Sequence, residues 1–207
     1  MAYLEPADYA NYGLPAGTTA DWITAATALI NSYCRRPDLN VIQYNERLRI
    51  ITGARTVLLS YLPLAALAPA TTPIVSLEGR YAKPRRGEVL HEQLFEIAWA
   101  FALPGQWTVI DPTLADFDSN TGELTLPWNI LGLPYNEVQV TYTAGLANIG
   151  DDVKSACAQI VRNAQATPAL NASMSRVDTM QMKYFSSSLI DETVRAWLNP
   201  YVANRLG

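Results

Sequence analysis

The sequence predicts an α+β fold: a small helical bundle, built from one N-terminal and two C-terminal helices, with a β-rich insertion of hairpins between them. Apolar residues recur every three or four positions near both ends of the chain. In the middle they alternate with polar residues and are punctuated by Gly, Pro, Asn and Asp. No repeat of roughly 20 to 50 residues occurs and no low-complexity tract interrupts the chain, so solenoids and linker-joined modules are excluded. With 207 residues, 49% hydrophobic and 16% charged, the chain has the size of one ordinary domain or two small ones and can bury a core.

Residues 1–18 read as an arm punctuated by Pro6, Gly13, Pro15 and Gly17, and residues 19–207 as a single domain. From Thr19 to Arg36, Trp22, Ile23, Ala26, Leu29, Ile30 and Tyr33 share one helical stripe. Thr18 or Thr19 can cap the start, Asp21 suits the first turn, and two arginines suit the C-terminal dipole before Pro37 stops the helix. The β-rich insertion spans about 41–145. Between Val41 and Leu64 the period changes to two, with Leu48 and Ile50 alternating against Arg47 and Arg49. A Thr52-Gly53-Ala54 turn then leads into Thr56 to Leu62, which predicts a hairpin. After a Pro/Ala/Thr connector, strands are expected at Ile74–Tyr81, Leu94–Phe101, Trp107–Ile110, Gly122–Leu126 and Glu137–Tyr142. The C-terminal helices span about 149–206. Asp151 and Asp152 open the first, whose Val153, Ala156, Cys157, Ile160, Val161 and Ala164 form an apolar stripe ending before Pro168. Asn171 to Ser187 is a polar, serine-rich excursion, and the last helix runs from Leu189 toward Leu206, bent or shortened at Pro200.

Composition excludes several classes. The longest apolar run, around Ile97 to Leu103, falls far short of the roughly 20 residues of a membrane span. The first 15 residues carry Glu5 and Asp8 and no Lys or Arg, the reverse of a secretory leader, so a soluble, non-secreted chain with no membrane partner is expected. Cys34 and Cys157 sit at apolar positions of two helical patterns and read as buried thiols. Charge is unevenly placed. From Gly87 to Gly145 there are eight carboxylates and no Lys or Arg, a block of −8. The other 15 basic and 11 acidic residues leave +4, for a total of −4.

Motifs for catalysis fail one by one. His91, the single histidine, begins His91-Glu92-Gln93-Leu94-Phe95, with Phe95 where a zinc motif needs its second ligand. No Gly-x-Ser-x-Gly elbow and no phosphate-cradling glycine loop is present. Asp116, Asp118 and Asn120 open with the rhythm of a calcium loop. The glycine arrives one place late at Gly122, however, and Pro127 stands where a bidentate Glu is required, so an EF-hand is excluded and a turn between strands, or a weaker calcium-stabilised turn, is left. Asp151/Asp152 fits a helix N-terminus and Glu92/Glu96 a strand start. Arg80, Lys83, Arg85 and Arg86 form the densest basic cluster, a modest phosphate footprint beside an acidic block and equally a protein contact. The expected protein is not an enzyme and needs no cofactor or metal.

The order of elements and several local phrases resemble the head-to-tail connector (adaptor) proteins of long-tailed bacteriophages and gene transfer agents. The phrases are Tyr33-Cys34-Arg35-Arg36 at the end of the first helix, Leu58-Leu59-Ser60 with Leu62-Pro63-Leu64, Pro73-Ile74-Val75-Ser76-Leu77, Thr121-Gly122-Glu123-Leu124 and Trp197-Leu198-Asn199-Pro200-Tyr201. Above all, Val138-Gln139-Val140-Thr141-Tyr142-Thr143-Ala144-Gly145, followed by Ile149-Gly150-Asp151-Asp152-Val153-Lys154-Ser155-Ala156, looks like the strand-to-helix junction of that family. The similarity covers most of Ala20 to Tyr201. The arm to Gly17 has no counterpart, and the acidic stretch from Gly87 to Pro134 is longer than in compact members.

The resemblance implies a structural virion protein at the head–tail interface, assembled in the host cytoplasm and active in genome packaging and ejection. It would form a ring, commonly of twelve copies, that binds the portal protein, extends the DNA channel and receives a tail or stopper protein. DNA would pass through without specific binding. Candidate portal or partner contacts are Trp197, Tyr201 and Arg205, with Arg80, Lys83, Arg85 and Arg86; for Trp197 a place in the core is the first expectation. Candidate channel-lining acids are Asp116, Asp118 and Glu123, whose charge would repel phosphate. The alternatives are another neck or tail-completion protein, or a carbohydrate- or calcium-binding β module using Trp99, Trp107 and Trp128.

Overall fold

The computed structural model describes residues 2–51, 54–81, 105–128, 135–166, 174–177, 180–183 and 189–203. Among the described residues the fold is mixed α+β, with three α-helices and antiparallel sheets. The chain divides into two compact units, Met1–Leu39 with Asn148–Val202, and Asn40–Ala147 with Ala203–Gly207. The strand expected at Leu94–Phe101, together with His91, Lys83, Arg85, Arg86 and Trp99, lies outside the described residues.

In the first unit, helix α1 (Ala20–Cys34) buries Ile23, Ala26, Thr27, Ile30 and Cys34. Helix α2 (Asp151–Ala166) buries Val153, Ala156, Cys157, Ala158, Ile160 and Val161, and it packs against both α1 and α3 (Glu192–Leu198). Both thiols are free and buried, and burial pushes each up to about 11, so they act as small core side chains. Three expectations for these helices need correction. Thr19 is the N-cap residue of α1, but its side chain makes no capping hydrogen bond. The helix ends before its two arginines, because Arg35 adopts a left-handed φ of 56° and the N–H groups of Arg35 and Arg36 return to the carbonyls of Ser32 and Asn31. Trp22 lies 42% exposed beside the buried stripe instead of in it. The last helix starts at Glu192, where the Asp191 side chain accepts a 2.8 Å bond from Val194 N–H, and Pro200 converts its end to a 3-10 turn at Asn199–Tyr201.

The N-terminal arm is part of this unit's core. Tyr3, Leu4 and Leu14 are buried, and the Tyr3 hydroxyl oxygen accepts the Leu39 N–H at 2.8 Å. Tyr12 donates to Asp151 at 2.6 Å, and Lys154 reaches Asp8 at 3.2 Å. Within the expected polar excursion, strands β8 (Met174–Val177) and β9 (Met180–Lys183) pair as a hairpin.

In the second unit, β1 (Ile42–Arg49), β3 (Ile74–Arg80), β4 (Thr108–Ile110) and β7 (Glu137–Ala144) form one sheet in the order β1-β7-β3-β4. Strands β2 (Thr56–Leu58), β5 (Asp116–Phe117) and β6 (Glu123–Thr125) form another, in the order β2-β6-β5. The hairpin expected between Val41 and Leu64 does not form. All eight residues of β1 pair with β7, whereas β2 pairs with β6 in the other sheet. The two strands share one core instead, where Tyr44, Val57, Leu77, Leu124, Val140 and Tyr142 are buried and Tyr44 stacks on Tyr61 at 3.9 Å. Gly145 closes β7 with φ +139°, and a Cβ there would lie 2.3 Å from the Asn40 carbonyl oxygen.

Candidate functional site

The register of the second unit distributes its charges between two sheet faces. In β2-β6-β5, Thr56 opposes Thr125, Val57 opposes Leu124 and Leu58 opposes Glu123, while Asp116 and Phe117 oppose Thr125 and Leu124. The Asp118 N–H continues the ladder to the Glu123 carbonyl at 2.9 Å. With a period of two, Val57, Phe117 and Leu124 turn to the core, and Asp116, Asp118 and Glu123 share the opposite, exposed face. The three acids proposed from the sequence are therefore brought together.

Asp118 also builds the turn. Its carboxylate accepts the N–H groups of Asn120 at 2.8 Å and Thr121 at 3.4 Å, and Gly122 closes the turn at φ +72°. Those backbone donors hold its carboxyl below the usual range. The Ser119–Gly122 segment thus links two strands, as the turn reading expects. Among the described residues, no group of three or more His, Cys, Asp or Glu side chains could hold a metal ion.

The polar face of the four-stranded sheet has the opposite character. Arg49, Glu137 and Arg80 stand side by side across β1, β7 and β3, and Arg47 is one pleat away on the same face. Glu137 is 1% exposed. Its Oε1 accepts Arg47 Nε at 2.8 Å, its Oε2 accepts Arg80 Nε at 2.5 Å, and Arg49 Nε lies 3.9 Å away. Burial alone would push this carboxyl up, but the two guanidinium bonds outweigh it and hold Glu137 below the ordinary range. Trp107 flanks the group, its ring centroid 4.4 Å from the Arg80 guanidinium carbon and 5.6 Å from that of Arg47. Arg80 is therefore anchored here, and Glu137 is withdrawn from the acidic block to which it belongs in sequence.

The C-terminal candidates are partly engaged. Tyr201 donates to Asp152 at the start of α2; burial and this bond push the phenol up to about 12. Trp197 is half-buried on α3, and Arg205 lies outside the described residues. The clamp of Arg47, Arg80 and Trp107 on Glu137 was missed from the sequence. The alternation of Arg47 and Arg49 signals a common face, but nothing local shows that Glu137 lies across from it. Compared with known proteins, the chain matches no family model and no curated protein. Among the described residues, no helix is long and apolar enough to cross a membrane.

Proposed function

We propose that the protein is a non-enzymatic head-to-tail adaptor of a tailed phage or gene transfer agent. In this reading its copies form a ring beneath the portal, extend the DNA channel and offer a platform to a tail or stopper protein. The observation that carries the proposal is the gathering of Asp116, Asp118 and Glu123 on one exposed sheet face. Turned toward a channel, a ring of such faces would repel phosphate and keep DNA mobile. The strand-to-helix junction from Val138 to Ala156, present as β7 followed by α2, supports the reading, as does the order of the described elements, with α1 before the strands of the second unit and α2 and α3 after them, read as a small bundle with an insertion. Exposed Leu67, Val75, Val109, Leu114 and Trp128 leave apolar surface that subunit contacts would cover.

Mass determination with and without cognate portal rings tests the proposal. A complex carrying several copies per portal ring is expected, and a chain that leaves the portal mass unchanged would sink it. Portal contact through the C-terminal end is tested by deleting residues 204–207, which spares buried Leu198; weaker portal binding is expected. A second structural role, as another neck or tail-completion protein, shares this support and is separated by binding to tail components without portal. The sugar-binding alternative loses support because Arg80 occupies the Trp107 face and Arg55 lies 4.3 Å from the Trp128 ring.

A further inference from the structure

We propose that Arg47 and Arg80, steered by Trp107 and with Arg49 beside them, form a binding site for a phosphate oxyanion on the polar face of the four-stranded sheet. This goes beyond the adaptor reading and does not depend on it.

The argument starts from charge. Two guanidinium groups, those of Arg47 and Arg80, bond one carboxylate, so these three side chains together keep one positive charge; among the described residues Glu78, one pleat away on the same face, is the nearest further acid by register. It continues with donors. Arg47 and Arg80 each spend Nε on Glu137, and among the described residues no protein acceptor takes a hydrogen bond from the terminal Nη atoms of either. The Arg80 side chain is 17% exposed and that of Arg47 52%, so the Nη donors stand at a partly screened site that solvent and a small anion can reach. Order is already in place. Glu137 fixes both guanidinium groups from one side and the Trp107 ring steers them, so little rotamer freedom remains to be lost on binding. A forked guanidinium matches two oxygens of a phosphate group, and a pair of them suits its charge.

The test is calorimetric titration of the full chain with inorganic phosphate, followed by a short single-stranded oligonucleotide, with the Nε–H resonances of Arg47 and Arg80 as the site-specific readout. Phosphate is expected to bind with Kd near or below about 1 mM and to move both resonances. R47Q and R80K should each weaken it about tenfold, whereas R195Q, a cation of the helical unit, should not. R80K keeps a positive charge beside Glu137 but lacks the fork, and R47Q changes a half-exposed side chain, so a folding defect in one leaves the other decisive. Competition by the oligonucleotide assigns the site to phosphodiesters, and its failure to compete assigns the site to the free anion; both support the proposal. Absence of saturable binding, or binding unchanged in R47Q and R80K, overturns it.

Discussion

Glu137 and the trio Asp116, Asp118 and Glu123 come from the same acidic stretch, yet the fold gives them opposite work. Glu137 is almost wholly buried and clamped by Arg47 and Arg80, whereas the trio stands on an exposed face of the other sheet. A run of like charges along a chain is therefore not a patch of like charge on its surface. Strand register moved one carboxylate into a cationic cluster and gathered three others.

The largest effect that separates the two regions should come from E137Q. Removing the charge leaves two guanidinium groups facing a neutral amide in a mostly buried setting, and a loss of about 3 kcal/mol in urea unfolding is expected. A loss below about 1 kcal/mol would erase the distinction between the regions. The same pair predicts an acid limb. Because Glu137 is held below its ordinary value of 4.5 in the folded chain, the unfolded chain takes up its proton first as pH falls. The stabilisation is complete above that ordinary value and disappears as pH drops through the lower folded one. Thermal melting followed from pH 6 to about pH 3 should fall more steeply in the parent than in E137Q.

A smaller effect is expected from G122A, which sharpens the acidic side of the comparison. Gly122 has φ +72°, and a Cβ there would come 2.6 Å from the flexible end of Leu62, so a cost of about 1–2 kcal/mol in urea unfolding is expected. The smallest change in stability, below about 1 kcal/mol, belongs to the triple variant D116N/D118N/E123Q, whose side chains are exposed. Its consequence should be electrostatic. At low salt the triple variant should retain duplex DNA more strongly than the parent, an increase that added salt removes.

Much of this fold was legible from local pattern. The α2 helix and strands β3, β4, β6 and β7 lie within about two residues of where periodicity and turn residues place them. Failures arose where distant residues decide. The Thr52–Ala54 turn signal argued for pairing its two flanking strands, but β7, about ninety residues further along, offered β1 eight partners with Tyr142, Val140 and Val138 on the core side. The short β5, Asp116–Phe117, carries too little pattern to register as a strand, and the β8–β9 hairpin lacks clean alternation. Of the candidate site, the acidic trio is named from its place in the acidic block; its gathering on one face follows from the pairing of β5 with β6, which the sequence did not show. The Glu137 clamp joins residues from three strands and the turn before a fourth, and no local pattern reports such a meeting.

The central claim is that the acidic face of the smaller sheet borders a DNA passage in a ring built on the portal. Electron imaging of the chain bound to cognate portal rings, at a resolution that traces β5 and β6, tests it most directly. The predicted result is a closed ring with Asp116, Asp118 and Glu123 of every copy facing the bore. A chain that does not join the portal, or a ring whose bore is lined by other residues while these three point outward, would contradict it.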